Sequence, residues 1–167
     1  MISVKPLLLL CAVFSTASCM GAAQATVRVE PANLQGPRAL EKQTAAAAIR
    51  DYLQSWQSLS AALEQNRADL LNADFVGTAK EKLTDTIKEQ KSFGIHTRYV
   101  DRAHDLQIVF YSPEGLSIEL IDEVKYDVEV LHKNKLTTRQ HMSARYVVVL
   151  TPAEVRWRVR VFQAVPE

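Results

Sequence analysis

The sequence has 167 residues, of which 47% are hydrophobic and 23% are charged, and these values suit one globular domain. Lys and Arg number 20 and Asp and Glu number 19, so the net charge of +1 gives no general attraction to nucleic acid or to an anionic membrane. The chain has 5 Gly and lacks the Gly-rich motif of a phosphate-binding loop, G-x-x-x-x-G-K-S/T.

Residues 1–25 have the order of a secretory signal peptide. Lys5 precedes a short apolar run from Leu7 to Phe14, and small residues end in Ala23-Gln24-Ala25, an A-x-A sequence. The apolar run is too short to span a bilayer core of about 30 Å. Cleavage after Ala25 predicts an exported chain, periplasmic or secreted, without a transmembrane helix in its mature form.

Both cysteines of the chain, Cys11 and Cys19, lie in this first segment. The mature protein would have no cysteine, so its stability would rest on its core and not on disulfides. An alternative is that Thr16-Ala17-Ser18-Cys19 is a lipoprotein processing box with lipid on Cys19. Such boxes usually have Leu where Thr16 stands, so signal cleavage near Ala25 is the favoured interpretation.

Residues 26–38 contain Pro31, Gly36 and Pro37 and few large apolar groups, which predicts a linker or flexible tail. Val27 and Val29 alternate with polar residues, so a short added strand is an alternative. Residues 39–167 are then expected to form a single domain.

The first half of this domain has helical periodicity. Apolar residues recur every three or four positions in a long amphipathic helix over 39–65, where Tyr52 and Trp56 share one face. A second, short helix is expected over 67–71. A third is expected from Thr78, with Glu81 completing a capping box, to Gly94.

The second half has a period of two, which predicts strands. The expected strands are 106–111, 116–132, 137–150 and 155–161, joined by turns at 112–115, 133–135 and 151–154. The second strand is long, so we expect a bend or bulge near Ile121 to Glu123. The predicted fold class is α+β, with N-terminal helices packed on a curved antiparallel meander of about four strands.

The turns predict the register of two hairpins. Pairing His132 with Leu136 places Tyr126 opposite Met142, an apolar pair for the core face. On the other face this register sets acids opposite bases. These pairs are Glu129 with Arg139, Asp127 with His141, and Glu123 with Arg145.

Pairing Leu150 with Val155 predicts the register of the last hairpin. This pairing places Tyr146 opposite Val159 and Val148 opposite Trp157. The two hairpins then agree on which face of the sheet is buried.

Asp101, His104 and Asp105 are the one cluster of His and carboxylate in the sequence. Asp101 and His104 are catalytic candidates, as an orienting carboxylate and a general base. The same residues, with His96, could ligate a metal, but no motif supplies a full ligand set, so no metal and no cofactor is expected. A polar loop that leads into a strand explains the cluster equally well.

Arginines and aromatics supply the other candidates. Arg156, Arg158 and Arg160 alternate on the last strand and are best explained as a solvated face, while Arg145 lacks a full local explanation. Arg145, Arg158 and Arg160 are the interface candidates. Five aromatic residues belong to the core or border a ligand pocket: Tyr52, Trp56, Tyr126, Tyr146 and Trp157.

The layout resembles the NTF2-like superfamily, also called the SnoaL-like or ketosteroid isomerase-like cone fold. The resemblance rests on Tyr52-x-x-x-Trp56 in the long helix, the break at Phe75-Val76-Gly77, the helix end at Gly94 and the closing strand Val155-Arg156-Trp157-Arg158-Val159. It covers about 39–165. It implies a curved sheet that encloses a cone-shaped cavity, in proteins that are isomerases, dehydratases or cyclases, or that bind ligands or proteins, often as dimers through the open sheet face.

Isomerase-type members pair a catalytic Asp with a Tyr that stabilises an oxyanion. Asp74 or Asp101 with Tyr52 would be such a pair here, but no motif secures either, and no catalytic residue is carried over. The favoured prediction is an exported, non-enzymatic module that binds a small apolar ligand or an envelope protein and forms a homodimer. The alternatives are a small isomerase, dehydratase or hydrolase that uses a pocket Asp/His pair, and a purely structural accessory domain.

Overall fold

A computed structural model describes residues 25–34, 36 and 38–165 of the chain. The proposed signal peptide, apart from Ala25, lies outside these residues, and so do Cys11 and Cys19. No described helix has both the length and the apolar character that crossing a membrane requires.

The element order confirms helices first and a strand meander second. After an N-terminal strand, β1, come two α-helices with a 3₁₀ turn between them, and then four long strands, in one five-stranded sheet of order β1-β2-β3-β4-β5. The elements are β1 Thr26–Val29, α1 Lys42–Gln65, the 3₁₀ turn Ala68–Leu71, α2 Gly77–Ser92, β2 Ile95–Tyr111, β3 Ile118–His132, β4 Lys135–Pro152 and β5 Trp157–Val165.

The long helix α1 forms because its sequence is rich in alanine at the start and has one apolar stripe. It ends at Asn66, whose left-handed backbone (φ 52°) lets its N–H bond the carbonyls of Ala62 and Leu63. The stripe packs on the sheet. Its buried members are Ala48, Asp51, Tyr52, Ser55, Trp56, Leu59, Ala62 and Leu63.

The predicted capping box of the third helix is wrong. The helix α2 begins at Gly77 after Val76, which makes no side-chain capping bond. The hydroxyl of Thr78 instead donates to the carbonyl of Arg160 at 3.1 Å, which fastens the start of α2 to β5.

The strand proposed around Val27 and Val29 exists as β1. It runs parallel to β2, with Val27 beside His104 and Val29 beside Leu106. Both valines are about half exposed, since β1 is the edge of the sheet.

The predicted β3–β4 pairs away from the turn are confirmed, whereas the predicted pairing of His132 with Leu136 is wrong. His132 lies opposite Lys135, and an irregularity between Val130 and Leu131 restores the other predicted pairs. Tyr126 lies opposite Met142, Val124 opposite Ala144, and the three acid–base pairs stand as expected on the other face. The turn is tighter than predicted: Lys133 and Asn134 alone connect the strands, both with positive φ (49° and 60°), as a type I′ turn requires.

The register predicted for the β4–β5 hairpin is wrong. Leu150 lies opposite Val159, and Pro152 opposite Trp157, with an irregularity between Val149 and Leu150. Val159 is held on its other side as well, because its N–H donates to the Asp74 carbonyl at 2.8 Å and its carbonyl accepts the N–H of Val76 at 2.9 Å. This added contact with the segment before α2 sets the position of β5.

The irregularity shifts the side-chain alternation of β5. Val159 is 1% exposed, and after the shift Phe162, opposite Val148, packs against the core. The prediction had placed Val161 on that face.

The bend expected in β3 lies in β2. Register shifts occur between Asp101 and Ala103 and between Ile108 and Phe110, whereas β3 alternates without interruption from Ile118 to Tyr126. Each shift reverses which β2 side chains face the helices. The first turns His104 inward and the second turns Tyr111 inward.

Candidate functional site

A buried polar residue, Asp122, lies in the middle of the core face of β3. It stands between Leu120 and Val124, and all three are 0% exposed. Because alternate residues of a strand share a face, an acid at this position points into the interior between the sheet and α1. A buried carboxylate is costly unless other groups bond it.

Asp122 is bonded by side chains from α1 and β2. Its Oδ2 accepts a hydrogen bond from the Tyr52 hydroxyl at 2.7 Å, and the same oxygen lies 2.8 Å from Nδ1 of His104. Tyr52 reaches it from the buried stripe of α1. His104 reaches it because the β2 irregularity turns that side chain inward. All three are no more than 2% exposed, and they form a hydrogen-bonded group that we call the Asp122 network.

Two buried atoms beside the network have no hydrogen-bond partner among the described residues. They are Oδ1 of Asp122 and Nε1 of Trp56. The Trp56 ring lies edge-on to the His104 ring, with 5.2 Å between their centroids. The network thus adjoins one unpaired acceptor and one unpaired donor, and unpaired buried polar atoms in a native structure call for a functional or structural explanation.

Aromatic rings surround Trp56 on its other sides. Its ring centroid lies 5.5 to 6.3 Å from four more rings, and the hydroxyls of Tyr126 and Tyr146 lie 3.0 Å apart. These four rings belong to Tyr99, Tyr126, Tyr146 and Phe162. Trp56 therefore occupies the centre of the space between α1 and the sheet.

The tyrosines of this interior hold their protons strongly. Burial, followed by the negative charge of Asp122, raises the pKa of Tyr52 well above its usual value of 10.0. Burial raises the pKa of Tyr99 to about 12. Burial also raises the pKa of Tyr146, and its hydrogen bond with Tyr126 adds to the rise. Near neutral pH these three hydroxyls are protonated and can donate hydrogen bonds.

Comparison with known proteins supports the fold. The intermembrane space region of the chloroplast protein ARC6 superposes with a TM-score of 0.60 at 14% identity, over 78% of this chain and 100% of that one. A putative scytalone dehydratase from Novosphingobium aromaticivorans superposes with a TM-score of 0.52 at 14% identity, over 75% of this chain and 89% of that one. The chain therefore has the fold of the NTF2-like superfamily.

A third solved structure agrees with this assignment. The Kfla4162 protein from Kribbella flavida has a TM-score of 0.51 at 8% identity, over 72% of this chain and 91% of that one. No family model and no curated protein matches the sequence. At these identities the comparisons establish the NTF2-like fold and leave the activity open.

The NTF2-like cone brings together four of the five aromatic candidates. Tyr52, Trp56, Tyr126 and Tyr146 meet in its interior, each at most 9% exposed. Trp157 is half-buried at the start of β5, where its backbone N–H donates to Asp51.

The Asp101/His104 pair stays a prediction, because the structure does not describe the side chain of Asp101. Among the described side chains, the carboxylate that bonds Nδ1 of His104 is that of Asp122. Asp105 is bound to Arg28 of β1. Within the described residues no group of three potential metal ligands comes together.

The three arginine candidates differ in their surroundings. Arg158 donates to the carbonyls of Asn72 and Phe75 and so supports the chain between the 3₁₀ turn and α2. Arg160 is exposed and lies against Gly77. Arg145 is exposed and forms no ion pair within the part of the chain that the structure describes.

The sequence prediction omitted Asp122 because an acid interrupts an apolar alternation and was assigned to a bend. The alternation itself could have found it, since Ile118, Leu120, Val124 and Tyr126 are all even-numbered and Asp122 falls in the same series. The prediction also omitted Phe162, whose place depends on the β4–β5 irregularity.

An apolar groove of about 660 Å³ lies outside the cone, between α1 and β1. Its lining is apolar along one stripe of α1, with Val29 on the other side and polar groups at its rim. The lining residues are Val29, Ala46, Ile49, Arg50, Leu53, Gln54 and Gln57.

Proposed function

We propose that this protein is an exported, non-catalytic NTF2-like module that binds a partner protein on its surface. Export follows from the charged, apolar and A-x-A order of residues 1–25, which predicts release to the periplasm or the medium after cleavage near Ala25. The observation that carries the binding role is the position of Trp56 in the cone.

Among the described residues, the side chain of Trp56 fills the centre of the cone. The side chain is 1% exposed, and five rings from His104 and the sheet aromatics surround it at centroid distances of 5.2 to 6.3 Å. Ligand pockets are usually largely formed before the ligand arrives. A ligand in this cone would first have to displace a tryptophan, so recognition is assigned to the surface.

Indole binding tests this assignment. Wild-type protein should show no saturable binding of indole in calorimetry, whereas Trp56→Ala should bind it, because a buried apolar cavity of matching shape takes up small aromatic molecules. Trp56→Leu is the matched variant if Trp56→Ala fails to fold. Saturable binding of one indole by the wild type that survives Ala46→Glu, a change in the apolar groove outside the cone, would overturn the closed cone and favour a small apolar ligand.

We further propose that two copies pair through the outer face of the sheet. On this face Ile121 lies opposite Val147 and Val149 opposite Val161, and all four are half-buried in the single chain. A band of branched apolar residues on an open sheet face is typical of a protein contact. Light scattering should report a dimer that Val147→Glu dissociates and Lys88→Glu, on α2, does not. A wild-type monomer at all concentrations would rule the dimer out.

The Asp122 network favours a second candidate function, acid–base catalysis. A carboxylate that bonds Nδ1 of a histidine fixes the ring so that its other nitrogen can exchange a proton with a substrate. Tyr52, protonated near neutral pH, would be a hydrogen-bond donor to the same centre. In this reading the enzyme would be an isomerase or dehydratase with His104 as the base.

Chemical modification separates the two functions. Catalysis requires a substrate to reach His104, which is 2% exposed, whereas His132 and His141 are exposed. For a closed, non-catalytic module, diethyl pyrocarbonate at pH 7 should modify His132 and His141 and spare His104, as read by mass spectrometry. Modification of His104 at a similar rate would favour the enzyme.

A further inference from the structure

One long stretch of sheet edge is left uncovered. β5 pairs with β4 from Arg145 to Pro152, so residues 135–144 of β4 have β3 on one side and no described element on the other. We call residues 135–144 the free edge. Its first seven residues are all exposed. Roughly half of the backbone N–H and C=O groups of such a strand point outward and can pair with another strand.

The charges of the free edge are of one sign. The free edge carries Lys135, Arg139 and His141, Arg145 follows it directly, and residues 135–145 include no acidic residue. Two copies paired edge to edge would set cations against cations, which destabilises a strand pair. The free edge is therefore unsuited to a second copy of this chain and suited to an acidic strand.

The two faces beside the free edge differ. Arg139, His141 and Arg145 lie on the outer face, opposite Glu129, Asp127 and Glu123. Met142 and Ala144 lie on the core face and are only half-buried, next to the core residues of the cone. An added strand would thus present one set of alternate side chains to cations and the other set to apolar surface.

The cations are not equally available. Arg139 is bound to Asp127 and Glu129, and His141 to Asp127. Arg145, at the point where β5 stops pairing, is exposed and has no ion pair with any described residue. A carboxylate on an added strand would therefore meet Arg145 first.

We propose that the free edge of β4 binds an extended acidic segment of a partner protein as a sixth strand. Acidic residues of that segment alternate with apolar ones, and Arg145 pairs with one of the acids. Backbone hydrogen bonds supply affinity and the two faces supply selectivity, as in other cases of strand addition. The proposal rests on the proposed function, because it names the surface and the chemistry of the partner.

A blocked peptide of alternating Glu and Val tests the proposal, with alternating Lys and Val as its control. Titration of the full mature chain should show saturable binding of the Glu/Val peptide and no binding of the Lys/Val peptide. Amide hydrogen exchange should slow within residues 135–144. Arg145→Glu should weaken binding at least tenfold, whereas Arg160→Glu, an equal charge change off the free edge, should leave it unchanged.

The possible negative results each overturn the site. Absence of binding up to about 1 mM peptide, protection that falls outside the free edge, or equal binding by Arg145→Glu would each do so. If amide exchange of the wild type without peptide slows within residues 135–144 as the protein concentration rises, the occupant is a second copy and the proposal is wrong. The indole experiment tests the proposed function separately. If the wild type binds neither indole nor the Glu/Val peptide, the free-edge site is wrong and the proposed function still stands.

Discussion

The Oδ2 atom of Asp51 accepts the backbone N–H of Trp157 at 2.8 Å, across 106 residues of sequence. Asp51 lies in the middle of α1 and Trp157 is the first residue of β5. The other carboxylate oxygen of Asp51 is bound by the exposed guanidinium of Arg50. A mostly buried acid of α1 therefore fixes the beginning of β5. This is the strand whose register was predicted wrongly from the sequence.

Asp51→Ala should lower the free energy of unfolding by about 2 kcal/mol, because it leaves a partly buried N–H without its charged acceptor. Urea unfolding at neutral pH measures the change. Arg50→Ala is the control, and it should cost less than about 1 kcal/mol since the guanidinium of Arg50 is largely exposed. Equal losses in the two variants would mean that the ion pair, and not the bond to Trp157, carries the stability.

The bond between Tyr52 and Asp122 should be strongly coupled. Tyr52→Phe removes the donor to Oδ2 and should cost about 1–3 kcal/mol, since a buried acceptor loses a partner. Asp122→Asn should cost a similar amount. In a double-mutant cycle the two changes should be non-additive by more than about 0.5 kcal/mol, as residues of one network are. Additive losses would show that the 2.7 Å contact contributes nothing of its own.

Alkaline pH should destabilise the fold through its buried tyrosines. The pKa of Tyr52, Tyr99 and Tyr146 is raised above 10.0 in the folded state, with Tyr99 at about 12. In the unfolded chain these groups lose their protons near pH 10, so their stabilisation is complete below that pH. It is lost as the pH rises toward the folded-state values. The loss is at most about 1.4 kcal/mol per pH unit for each tyrosine.

Urea unfolding at several pH values between 8 and 12 measures this effect. Tyr99→Phe removes one of the three groups and should make the fall of stability above pH 10 shallower. Below pH 9 the same substitution should leave the pH dependence unchanged. A variant whose stability falls as steeply as that of the wild type would contradict the assignment of the high pKa to Tyr99.

Sequence periodicity predicted the parts of this fold that local chemistry determines. The α1 stripe and the β3–β4 pairs away from the turn agree with the spacing of apolar residues, whereas the pairing at the turn itself was not predicted. The parts it missed depend on distant contacts. The position of β5 is set by its bonds to Asp74 and Val76, and no pattern within 151–165 records them.

The same distinction applies to the candidate site. The sequence indicated His104 as a candidate base and proposed Asp101 as its carboxylate partner, but it gave no sign of a partner on another strand. Asp122, which bonds Nδ1 of His104 in the structure, is 18 residues away on the next strand. The inward turn of His104 comes from a β2 irregularity that the sequence does not mark with glycine or proline.

The turn between β3 and β4 offers a test of local strain. Lys133 has φ 49°, in the left-handed region that costs a residue with a side chain roughly 1–2 kcal/mol. Lys133→Gly should therefore raise the free energy of unfolding by about 1 kcal/mol, or at least slow amide exchange at the end of the hairpin. Lys135→Gly is the matched control. Lys135 lies within β4 and pairs with His132, so this change should destabilise the hairpin. If both glycines destabilise equally, the gain of backbone freedom in the unfolded chain outweighs the relief of strain, and the type I′ turn imposes no measurable cost on Lys133.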